Sequence, residues 1–422
     1  MHRVVITGMG MSTALGPDLR TCWQRLLAGD NGIATLSFWD PAEYSTKVVA
    51  EVKHVPRDAG PVIPRTWCRR GVRLFLPVVQ EAFEDAQLDR VPLPPAEIGI
   101  AAGTSVNYLD MYLMKHYFQL RKPDSPALDM ARFAREGQQP DNSFYRRLGD
   151  MIASVPAKVL KLAGPAFVMD TACAASSHAI GEAFRLVRMG KVKAMLAGGA
   201  AALVSPLPIL AFTLLGALSR NANPDLASRP FDRQRDGFVM GEGGGAVVLE
   251  TLESAQARGA HIYAELAGYG SSLNAYTLTD PSPDGSSEAQ AMNTALQQAA
   301  IAPEEVDYIA AHGTSTPKND VIETTAIKRV FGPRAKQLMV SSNKGQIGHT
   351  ISAAGVCNLI CAVQAIAKGH VPPTMHLRTP DPQCDLDYIP NQSRAAKVRA
   401  ALANAFAFGG QNAVLAVRAW TG

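Results

Sequence analysis

Cys173 is the residue of this 422-residue chain whose surroundings best suit a nucleophile. It stands in FVMDTACAASSHAIGEAFRLVRMGK, where an apolar strand end passes through small residues into a helix that reaches about Met189. The free N–H groups and positive dipole end of a helix favour a thiolate over a thiol, and the thiolate is the attacking form. We therefore predict that Cys173 is catalytic. The other cysteines, including Cys357 and Cys361 inside an apolar helix, are predicted to be structural.

Two histidines stand beside small and polar residues at the predicted ends of strands. His312 lies in AAHGTSTPKND, and His349 lies in SSNKGQIGHTISAAG just before a helix. Sites in α/β sheets form at the carboxyl ends of strands, where the corner at Cys173 also falls. We predict that these three side chains belong to one site, and that the remaining histidines are ordinary core or surface residues.

Glycine-rich segments raise the possibility of a nucleotide site, which the spacing excludes. In GMGMSTALG, Thr13 stands where the dinucleotide fingerprint requires its third glycine, and no GxxxxGK[ST] motif occurs. The run GEGGG (Gly241–Gly245) lies between apolar segments and predicts a tight turn between strands. The segment FAFGGQN (Phe406–Asn412) has small residues that let the backbone approach a ligand, which alone is a weak signal.

The elements around these residues occur twice. Val79–Ser105 predicts a helix, a proline-rich turn and a strand ending in IAAGTS, and Ala291–Ser315 repeats this plan and ends in IAAHGTS. The inserted residue of the second copy is His312. A strand, a polar loop and an alanine-rich helix likewise occur at 168–189 and at 339–368. A repeat this long indicates a duplicated fold and excludes a solenoid.

We therefore predict an α/β protein made of two similar halves, residues 1–255 and 256–422. Strands alternate with helices in each half, which favours parallel sheets covered by helices. No flexible linker composition occurs between the halves, so they are expected to pack as one body.

The composition suits a large, well-buried α/β enzyme. Hydrophobic residues make up 47% of the chain, and a net charge of +4 is far from the basic stripe of a nucleic-acid-binding protein. The apolar runs are too short or too interrupted to span a bilayer. The cysteines lack metal-ligand spacing, and the N-terminus lacks the layout of a signal peptide. We expect a reduced, cytoplasmic protein without a metal, a nucleic-acid partner or a membrane segment.

Six segments, taken in order, resemble the β-ketoacyl-acyl carrier protein synthases of type II fatty acid and polyketide systems, which belong to the thiolase superfamily. The resemblance covers essentially the whole chain and implies a thiolase-like fold, with two duplicated α/β halves packed as a layered α-β-α-β-α body. It implies decarboxylative Claisen condensation of an acyl thioester with a malonyl-type unit, and no cofactor beyond the phosphopantetheine of the carrier. The segments are VVITGMG, DTACAAS, RPFDRQRDGFVMGEGGG, AAHGTSTPKND, NKGQIGHTISAAG and AFAFGGQN.

The resemblance assigns roles to the reactive residues. It implies that Cys173 accepts the acyl chain and that His312 and His349 serve malonyl decarboxylation and condensation, since imidazole N–H donors can stabilise an enolate. Replacing either histidine is expected to spare acyl loading far more than condensation. Thr314 and Thr316 are similar to the threonines that hydrogen-bond the phosphopantetheine arm.

Further positions match supporting residues of the family. Lys344 resembles the lysine that organises the site electrostatically, with Glu323 as its expected partner. Phe408 resembles a gating phenylalanine whose backbone N–H, with that of the nucleophile, forms the oxyanion hole. Phe406 and Asn412 are supporting residues of the same segment.

Departures from the family pattern bear on the substrate. Ala407 stands where glycine is usual, Gln411 replaces a common threonine or serine before Asn412, and Ser352 occupies a usual glycine. We interpret them as favouring a specialised polyketide or polyene synthase over the housekeeping fatty acid enzyme.

Three other members of the fold are weighed against this interpretation. A coenzyme A thiolase needs a second catalytic cysteine, and Cys384 lacks the required glycine-rich setting. The Cys-His-Asn synthases of plant type are disfavoured by the two histidine segments. A non-catalytic chain-length partner would lack Cys173, but such a paralogue remains an alternative to a second copy of this chain as its partner in a dimer.

An arginine cluster in PRTWCRRGVRLF suggests where an acyl carrier protein docks. The simplest interpretation is that these arginines form a solvent-exposed helix start. However, positive charge is unfavourable at a helix N-terminus unless it meets an anion. Acyl carrier proteins are acidic, and related synthases use basic residues here. The predicted docking residues are Arg65, Arg69, Arg70 and Arg73, and Val106 is matched loosely to the residue that reaches the acyl pocket across a dimer interface.

Overall fold

The computed structural model describes residues 1–55, 69–91, 93–105, 118–136, 149–277 and 279–422. The strands are β1 (Val4–Thr13), β2 (Ala34–Thr35), β3 (Val48–Val49), β4 (Ile98–Gly103), β5 (Ala166–Met169), β6 (Ala194–Ala201), β7 (Gly243–Thr251), β8 (Ala264–Leu273), β9 (Val306–Ala310), β10 (Met339–Ser341), β11 (His370–Val371), β12 (Arg394–Ala395), β13 (Ala400–Phe406) and β14 (Gln411–Arg418). The helices are α1 (Leu19–Ala28), α2 (Arg70–Asp85), α3 (Met130–Glu136), α4 (Met151–Val159), α5 (Ala175–Arg188), α6 (Pro206–Leu214), α7 (Pro224–Ala227), α8 (Leu252–Ala257), α9 (Ser286–Ala299), α10 (Pro317–Phe331), α11 (Lys344–Ile347) and α12 (Ala354–Lys368).

The main sheet repeats one strand order twice. Its ten strands follow the order β10-β9-β13-β14-β8-β1-β7-β6-β4-β5. Within each half, the first strand is followed across the sheet by the last, the fourth, the second and the third strand of that half. The halves join where β1 pairs with β8 through Val5, Ile6, Ala264 and Glu265. The predicted duplication of an α/β fold is confirmed.

The sheet is mixed, whereas the sequence led us to expect parallel sheets. The strands β4, β5 and β6 are parallel, and so are β9, β10 and β13. The first and last strands of each half pair antiparallel with each other, as β1 with β7 and β8 with β14. The last two strands of each half also pair antiparallel, as β6 with β7 and β13 with β14. The alternation of strands and helices along the sequence does not show the direction of these pairs.

Helices form three layers around the two halves of the sheet. The helices α5 and α12 lie between the halves, and α5 packs on β4 and β6 as well as on β8 and β14. On the outside, α2 packs on β1 and β7, and α9 packs on β8 and β14. The layered α-β-α-β-α body is therefore present. Contrary to the sequence expectation, the segment Ile351–Lys368 is long and apolar enough to cross a membrane, but 83% of it is buried inside the protein, as in a core helix.

Glycine pairs let the outer helices approach the sheet. A Cβ atom at Gly8 or Gly10 of β1 would lie 2.2 Å from a carbonyl oxygen of α2. At Gly268 and Gly270 of β8 it would lie 2.2 and 2.0 Å from carbonyl oxygens of α9. The same close packing is thus built into the first strand of both halves, in VVITGMG (Val4–Gly10) and in ELAGYG (Glu265–Gly270).

The inner helices both begin with a strained corner. A 3-10 turn, Ala172–Ala174, precedes α5, and the turn Ile351–Ala353 precedes α12. The first residue of each turn has a positive φ, +46° at Ala172 and +35° at Ile351. By position, Cys173 in the first corner corresponds to Ser352 in the second.

We predict that Gly103→Ala disturbs the corner that carries Cys173. A Cβ atom at Gly103 would lie 2.4 Å from the backbone nitrogen of Ser176 in the first turn of α5. Overpacking of this kind costs about 1–3 kcal/mol, and the displaced helix should slow acyl loading. The measurements are the free energy of unfolding in denaturant and the loading rate.

The matched control is Gly71→Ala in α2, where the nearest atom to the new Cβ would be 4.0 Å away. Alanine is the better helix former, so this variant should be at least as stable as wild type. A Gly103→Ala protein with wild-type stability and loading would show that α5 tolerates a shift here.

Candidate active site

Cys173 and His349 meet at the two corners. Cys173 is 2% exposed, and its Sγ lies 3.1 Å from His349 Nε2. The backbone N–H of Ile351 donates to His349 Nδ1 at 3.2 Å, so the neutral ring carries its proton on Nε2 and presents it to the sulfur. His349 is therefore a hydrogen-bond donor to the nucleophile.

The Cys173 thiol is less acidic than the helix terminus alone would make it. Burial raises the pKa of this thiol to about 11, while the Lys344 ammonium and the N–H groups of Phe408 and Cys173 itself lower it. The expectation of a resting thiolate is therefore corrected, because loss of water outweighs these donors. The same donors stabilise the thiolate as it forms.

His312 stands beside His349. Their ring centroids are 5.3 Å apart at 80°, and His312 is 2% exposed. Burial, with the nearby Lys344 cation, holds the pKa of both imidazoles well below the usual range, so both rings are neutral. His312 Nδ1 is buried, and within the described part of the chain it has no hydrogen-bond partner. Two neutral imidazoles therefore face one small volume beside the sulfur.

Lys344 and Glu323 act on the site through the backbone of the His312 loop. The Lys344 ammonium donates to the His312 carbonyl oxygen. Glu323 accepts the N–H groups of His312 at 2.8 Å and Gly313 at 2.7 Å. Among the described residues no ion pair joins Lys344 to Glu323, so the expected direct pairing is replaced by contacts on one loop. Burial lowers the Lys344 pKa to about 8, although Glu323 raises it.

Asparagines that the sequence interpretation missed fix these loops to each other. Asn358 in α12 donates to the carbonyl oxygens of Ala311 at 3.0 Å and Asn404 at 2.9 Å. Asn343, next to Lys344, donates to Asn358 Oδ1 at 3.1 Å. A buried asparagine in the otherwise apolar run of α12 is the signal that could have identified this network.

Phe408 lies in the hairpin loop between β13 and β14. Its ring is 6.3 Å from that of Phe212 in α6. The positive φ values that the loop needs occur at Gly409 (+87°) and Gly410 (+80°). Ala407 does not adopt a positive φ, so its Cβ does not oppose the observed conformation.

A cavity of about 280 Å³ leads from the protein surface to the reactive residues. Thr314 and Thr316 line it, with their Oγ1 atoms 2.9 Å apart, and Thr316 caps α10. Phe406 and Asn412 also line it, and the Phe406 ring lies 5.9 Å from His312. Phe238, which the sequence did not single out, places its ring 5.1 Å from His349. The remaining lining includes Cys173, Leu215, Gly216, Asp280, Lys318, Asn319 and Phe408.

The ligand atoms of Cys173, His312 and His349 lie within 4.8 Å of one another, a spacing that would suit a metal ion. The Lys344 cation is close enough to lower the pKa of both imidazoles and of the thiol. A divalent ion between these residues would be repelled by this buried positive charge. The three residues thus suit an anionic intermediate better than a cation.

The predicted arginine cluster separates into different environments. Arg70 donates to Glu242 at 2.7 and 2.5 Å, and the Glu242 side chain is fully buried. Arg70 is therefore a structural ion-pair residue, which corrects its assignment to carrier docking. Arg69 and Arg73 lie at the start of α2 and are half-buried. Arg65 and Val106 lie outside the described residues.

Comparisons with known proteins agree with this geometry. The family model for the beta-ketoacyl synthase N-terminal domain matches residues 1–255, and that for the C-terminal domain matches residues 263–378. The chain is 43% identical to 3-oxoacyl-[acyl-carrier-protein] synthase 2 of Synechocystis sp. (strain ATCC 27184 / PCC 6803 / Kazusa), over 99% of this chain and 98% of that protein. It is 39% identical to the Staphylococcus aureus (strain COL) protein of the same name, over 98% and 97%.

Solved structures are similar over the whole chain. A ketosynthase in complex with its type II polyketide acyl carrier protein has a TM-score of 0.88 and 34% identity, over 99% of this chain and 100% of that one. The ishigamide ketosynthase/chain length factor has a TM-score of 0.88 and 32% identity, and a beta-ketoacyl synthase from Burkholderia phymatum STM815 has 0.87 and 32%, each with full coverage of both chains (100%). The chain therefore belongs to the β-ketoacyl synthase family.

Proposed function

We propose that this acyltransferase extends an acyl chain by decarboxylative condensation with a malonyl unit held on an acyl carrier protein. The observation that carries the proposal is the contact of 3.1 Å between Cys173 Sγ and the protonated Nε2 of His349, with His312 beside it, at the buried end of an open cavity. Enzymes of this family need no cofactor beyond the phosphopantetheine on the carrier protein.

In the loading step, the Cys173 sulfur attacks the carbonyl carbon of the incoming thioester. The N–H groups of Phe408 and Cys173 act on the sulfur already, and the adjacent carbonyl oxygen is the group that they stabilise as it becomes an oxyanion. The carrier thiolate then leaves. The proton lost by Cys173 is balanced by the proton that the departing thiol gains.

In the condensation step, the malonyl thioester loses CO2 and its electron pair forms an enolate. His349 donates from Nε2, and His312 supplies the second imidazole N–H to the enolate oxygen. The enolate carbon attacks the acyl carbonyl on Cys173, and the thiolate leaves to give a β-ketoacyl thioester on the carrier protein. Phe408 is proposed as the gate between the acyl pocket and the malonyl site, and two observations support this role: its backbone N–H bonds the Cys173 sulfur, and Gly409 and Gly410 follow it in the loop.

An open sheet edge supports a dimer. The edge strand β5 is apolar, and its residues Ala166–Met169 are partly or fully exposed. Among the described residues, no strand pairs with its outer side, and such edges readily add another strand. We propose a dimer with a second copy of this chain, with a chain-length-factor-like paralogue as the alternative. A reducing compartment such as the cytoplasm suits a reaction that needs Cys173 as a free thiol.

The substrate test compares acyl chains directly. The departures at Ala407, Gln411 and Ser352 support a specialised polyketide or polyene substrate. We expect unsaturated or polyketide-derived acyl carrier thioesters to load at least about tenfold faster than saturated ones, as intact-protein mass spectrometry can follow. Faster loading of saturated long chains would favour fatty acid elongation instead. In the same assay, a Cys173→Ala protein that gains acyl mass would refute the assignment of Cys173 as the nucleophile.

The geometry gives His312 and His349 different roles, whereas the sequence interpretation expected the same behaviour from both. His312→Ala should leave acyl loading within about twofold, because this ring does not bond the sulfur, but should slow condensation by about a hundredfold or more. His349→Ala should slow both steps, with loading reduced about tenfold by loss of its hydrogen bond. Single-turnover mass measurements separate the steps, and His370→Ala on the surface is the control. Equal effects of both variants on loading would contradict this division.

Lys344 should leave a signature in the pH dependence of the nucleophile. Its pKa of about 8 lies below that of the Cys173 thiol, about 11. The reactive form has a charged Lys344 beside a Cys173 thiolate. Its fraction therefore increases as pH rises to about 8 and then stays level, because above that pH the loss of the ammonium offsets the formation of thiolate.

Iodoacetamide labelling of Cys173, read by intact mass between about pH 6 and about pH 10, tests this expectation. In Lys344→Met the rate should be lower near neutrality and should continue to rise above pH 8, because no ammonium is lost. If the labelling rate levels off at the same pH in wild type and in Lys344→Met, the titrating group is not Lys344.

Carrier docking is tested by reversing charge at the start of α2. Arg69→Glu with Arg73→Glu should raise the KM for carrier-bound substrate about fivefold or more, and added salt should weaken wild type in the same way. Turnover of a pantetheine thioester should be nearly unchanged. The control, Arg20→Glu with Arg90→Glu, makes the same charge change at exposed positions. Wild-type KM values across ionic strengths would place the docking surface elsewhere.

A further inference from the structure

One buried side chain forms hydrogen bonds with three separate segments of the chain. Asn358 lies in α12 and is 1% exposed. Its Nδ2 donates to the carbonyl oxygen of Ala311, the residue before His312, at 3.0 Å, and to that of Asn404 in β13 at 2.9 Å. Its Oδ1 accepts from Asn343 at 3.1 Å. The reaction described above gives this amide no role.

The imidazole of His312 depends on its backbone for its direction. Its Nδ1 is buried and has no hydrogen-bond partner in the part of the chain that the structure describes. The ring has edge contacts with the rings of His349 and Phe406, at centroid distances of 5.3 and 5.9 Å. Such contacts limit where the ring can lie, but they do not set the direction in which the side chain leaves the backbone. That direction is set by the two peptide groups beside His312.

Both of these peptide groups are held by side chains. In the peptide after His312, the carbonyl oxygen accepts from Lys344, and the N–H donates to Glu323 at 2.7 Å. In the peptide before it, the N–H donates to Glu323 at 2.8 Å, and the carbonyl oxygen, which belongs to Ala311, accepts from Asn358. These bonds fix both peptide planes. Asn358 is the uncharged side chain of the three that do so.

The three bonds of Asn358 require an amide. Two carbonyl oxygens face its Nδ2, and each needs a donor, while the Asn343 amide needs an acceptor. Among uncharged side chains, asparagine and glutamine are the ones that offer two N–H donors and a carbonyl acceptor. A carboxylate of the same shape would still accept from Asn343, but it would turn an oxygen towards the two carbonyl oxygens and leave them without a donor.

We propose that Asn358 is a positioning residue for the condensation step, because it fixes the peptide before His312 and thereby directs this imidazole towards the enolate oxygen. The inference rests on the proposed function, in which His312 donates to the enolate. Among the described residues, no hydrogen bond joins Asn358 to Cys173 or to His349. The His349 ring is held separately by the Ile351 N–H. Acyl loading should therefore not depend on Asn358.

The test measures the two steps separately in Asn358→Asp, which keeps the shape of the side chain and removes both donors. Loading is the gain of acyl mass by the enzyme in a single turnover. Condensation is the loss of that mass after malonyl carrier protein is added. Gln364→Glu is the matched control, because Gln364 lies further along the same helix, is 5% exposed and undergoes the same change from amide to carboxyl.

We expect Asn358→Asp to load within about twofold of wild type and to condense at least about tenfold more slowly, because a reacting group misplaced by about 1 Å can cost about a hundredfold in rate. In steady state, kcat should fall while the KM for malonyl carrier protein changes little, since Asn358 does not touch the substrate. Gln364→Glu should keep both rates within about twofold of wild type.

A double variant separates positioning from a general loss of structure. In a His312→Ala background, the ring that Asn358 positions is absent. Adding Asn358→Asp to this background should therefore change the residual condensation rate by less than about twofold. A residue that only stabilises the fold would lower condensation by the same factor with or without the His312 ring. If Asn358→Asp does not fold, Asn358→Leu, which has a similar shape and no charge, gives the same readings.

Three results would overturn the proposal: wild-type condensation in Asn358→Asp, equal losses of loading and condensation in that variant, or full additivity with His312→Ala. Failure of the proposed function is a different result, since loaded wild-type enzyme would then keep its acyl group in the presence of malonyl carrier protein.

Discussion

The structure depends on a strained corner at which a strand passes into a buried helix. Ala172 holds a positive φ of +46°, a conformation that costs of order 1–3 kcal/mol for a residue with a side chain. The strain is held by tertiary contacts, because Thr171 Oγ1 bonds His178 Nδ1 at 2.8 Å and His178 Nε2 bonds Ser271 Oγ at 3.1 Å. The corner places Cys173 in the 3-10 turn just before α5. Ser271 belongs to the other half of the chain, so the nucleophile is positioned only when the halves pack together.

Burial explains why the site needs so many fixed donors. Cys173, His312 and His349 are buried, and burial raises the pKa of the thiol and lowers that of the two imidazoles. Charge that develops there must therefore be met by groups already in place. Lys344 and Glu323 are both buried, and each is bonded to the backbone of the loop that carries His312. Their opposite charges hold the loop from two sides without touching, which keeps the ammonium available to the reacting groups.

The sequence predicted the chemical groups better than their contacts. Cys173 and His312 follow the ends of β5 and β9, as the sequence predicted. These strands lie in different halves of the sheet, so the packing of the halves, and not the sheet alone, brings the residues together. Arg70 was misread as a docking residue because its partner Glu242 lies far along the chain, and a cluster of like charges resembles a solvated surface. The thiol pKa could not be predicted because burial is a property of the packed halves.

The two halves share one scaffold and have come to supply different parts of the reaction. The second corner repeats the first, with Ile351 at a φ of +35° and Ser352 in the place of the nucleophile. Ser352 donates to the Ala200 carbonyl at 2.8 Å, so the position that is reactive in one half is structural in the other. The second corner instead carries His349, which reaches the sulfur of the first. The nucleophile belongs to the first half, and the histidines that donate to it belong to the second. Catalysis therefore depends on the interface between the halves. The two inner helices must stay packed against each other for the two corners to meet.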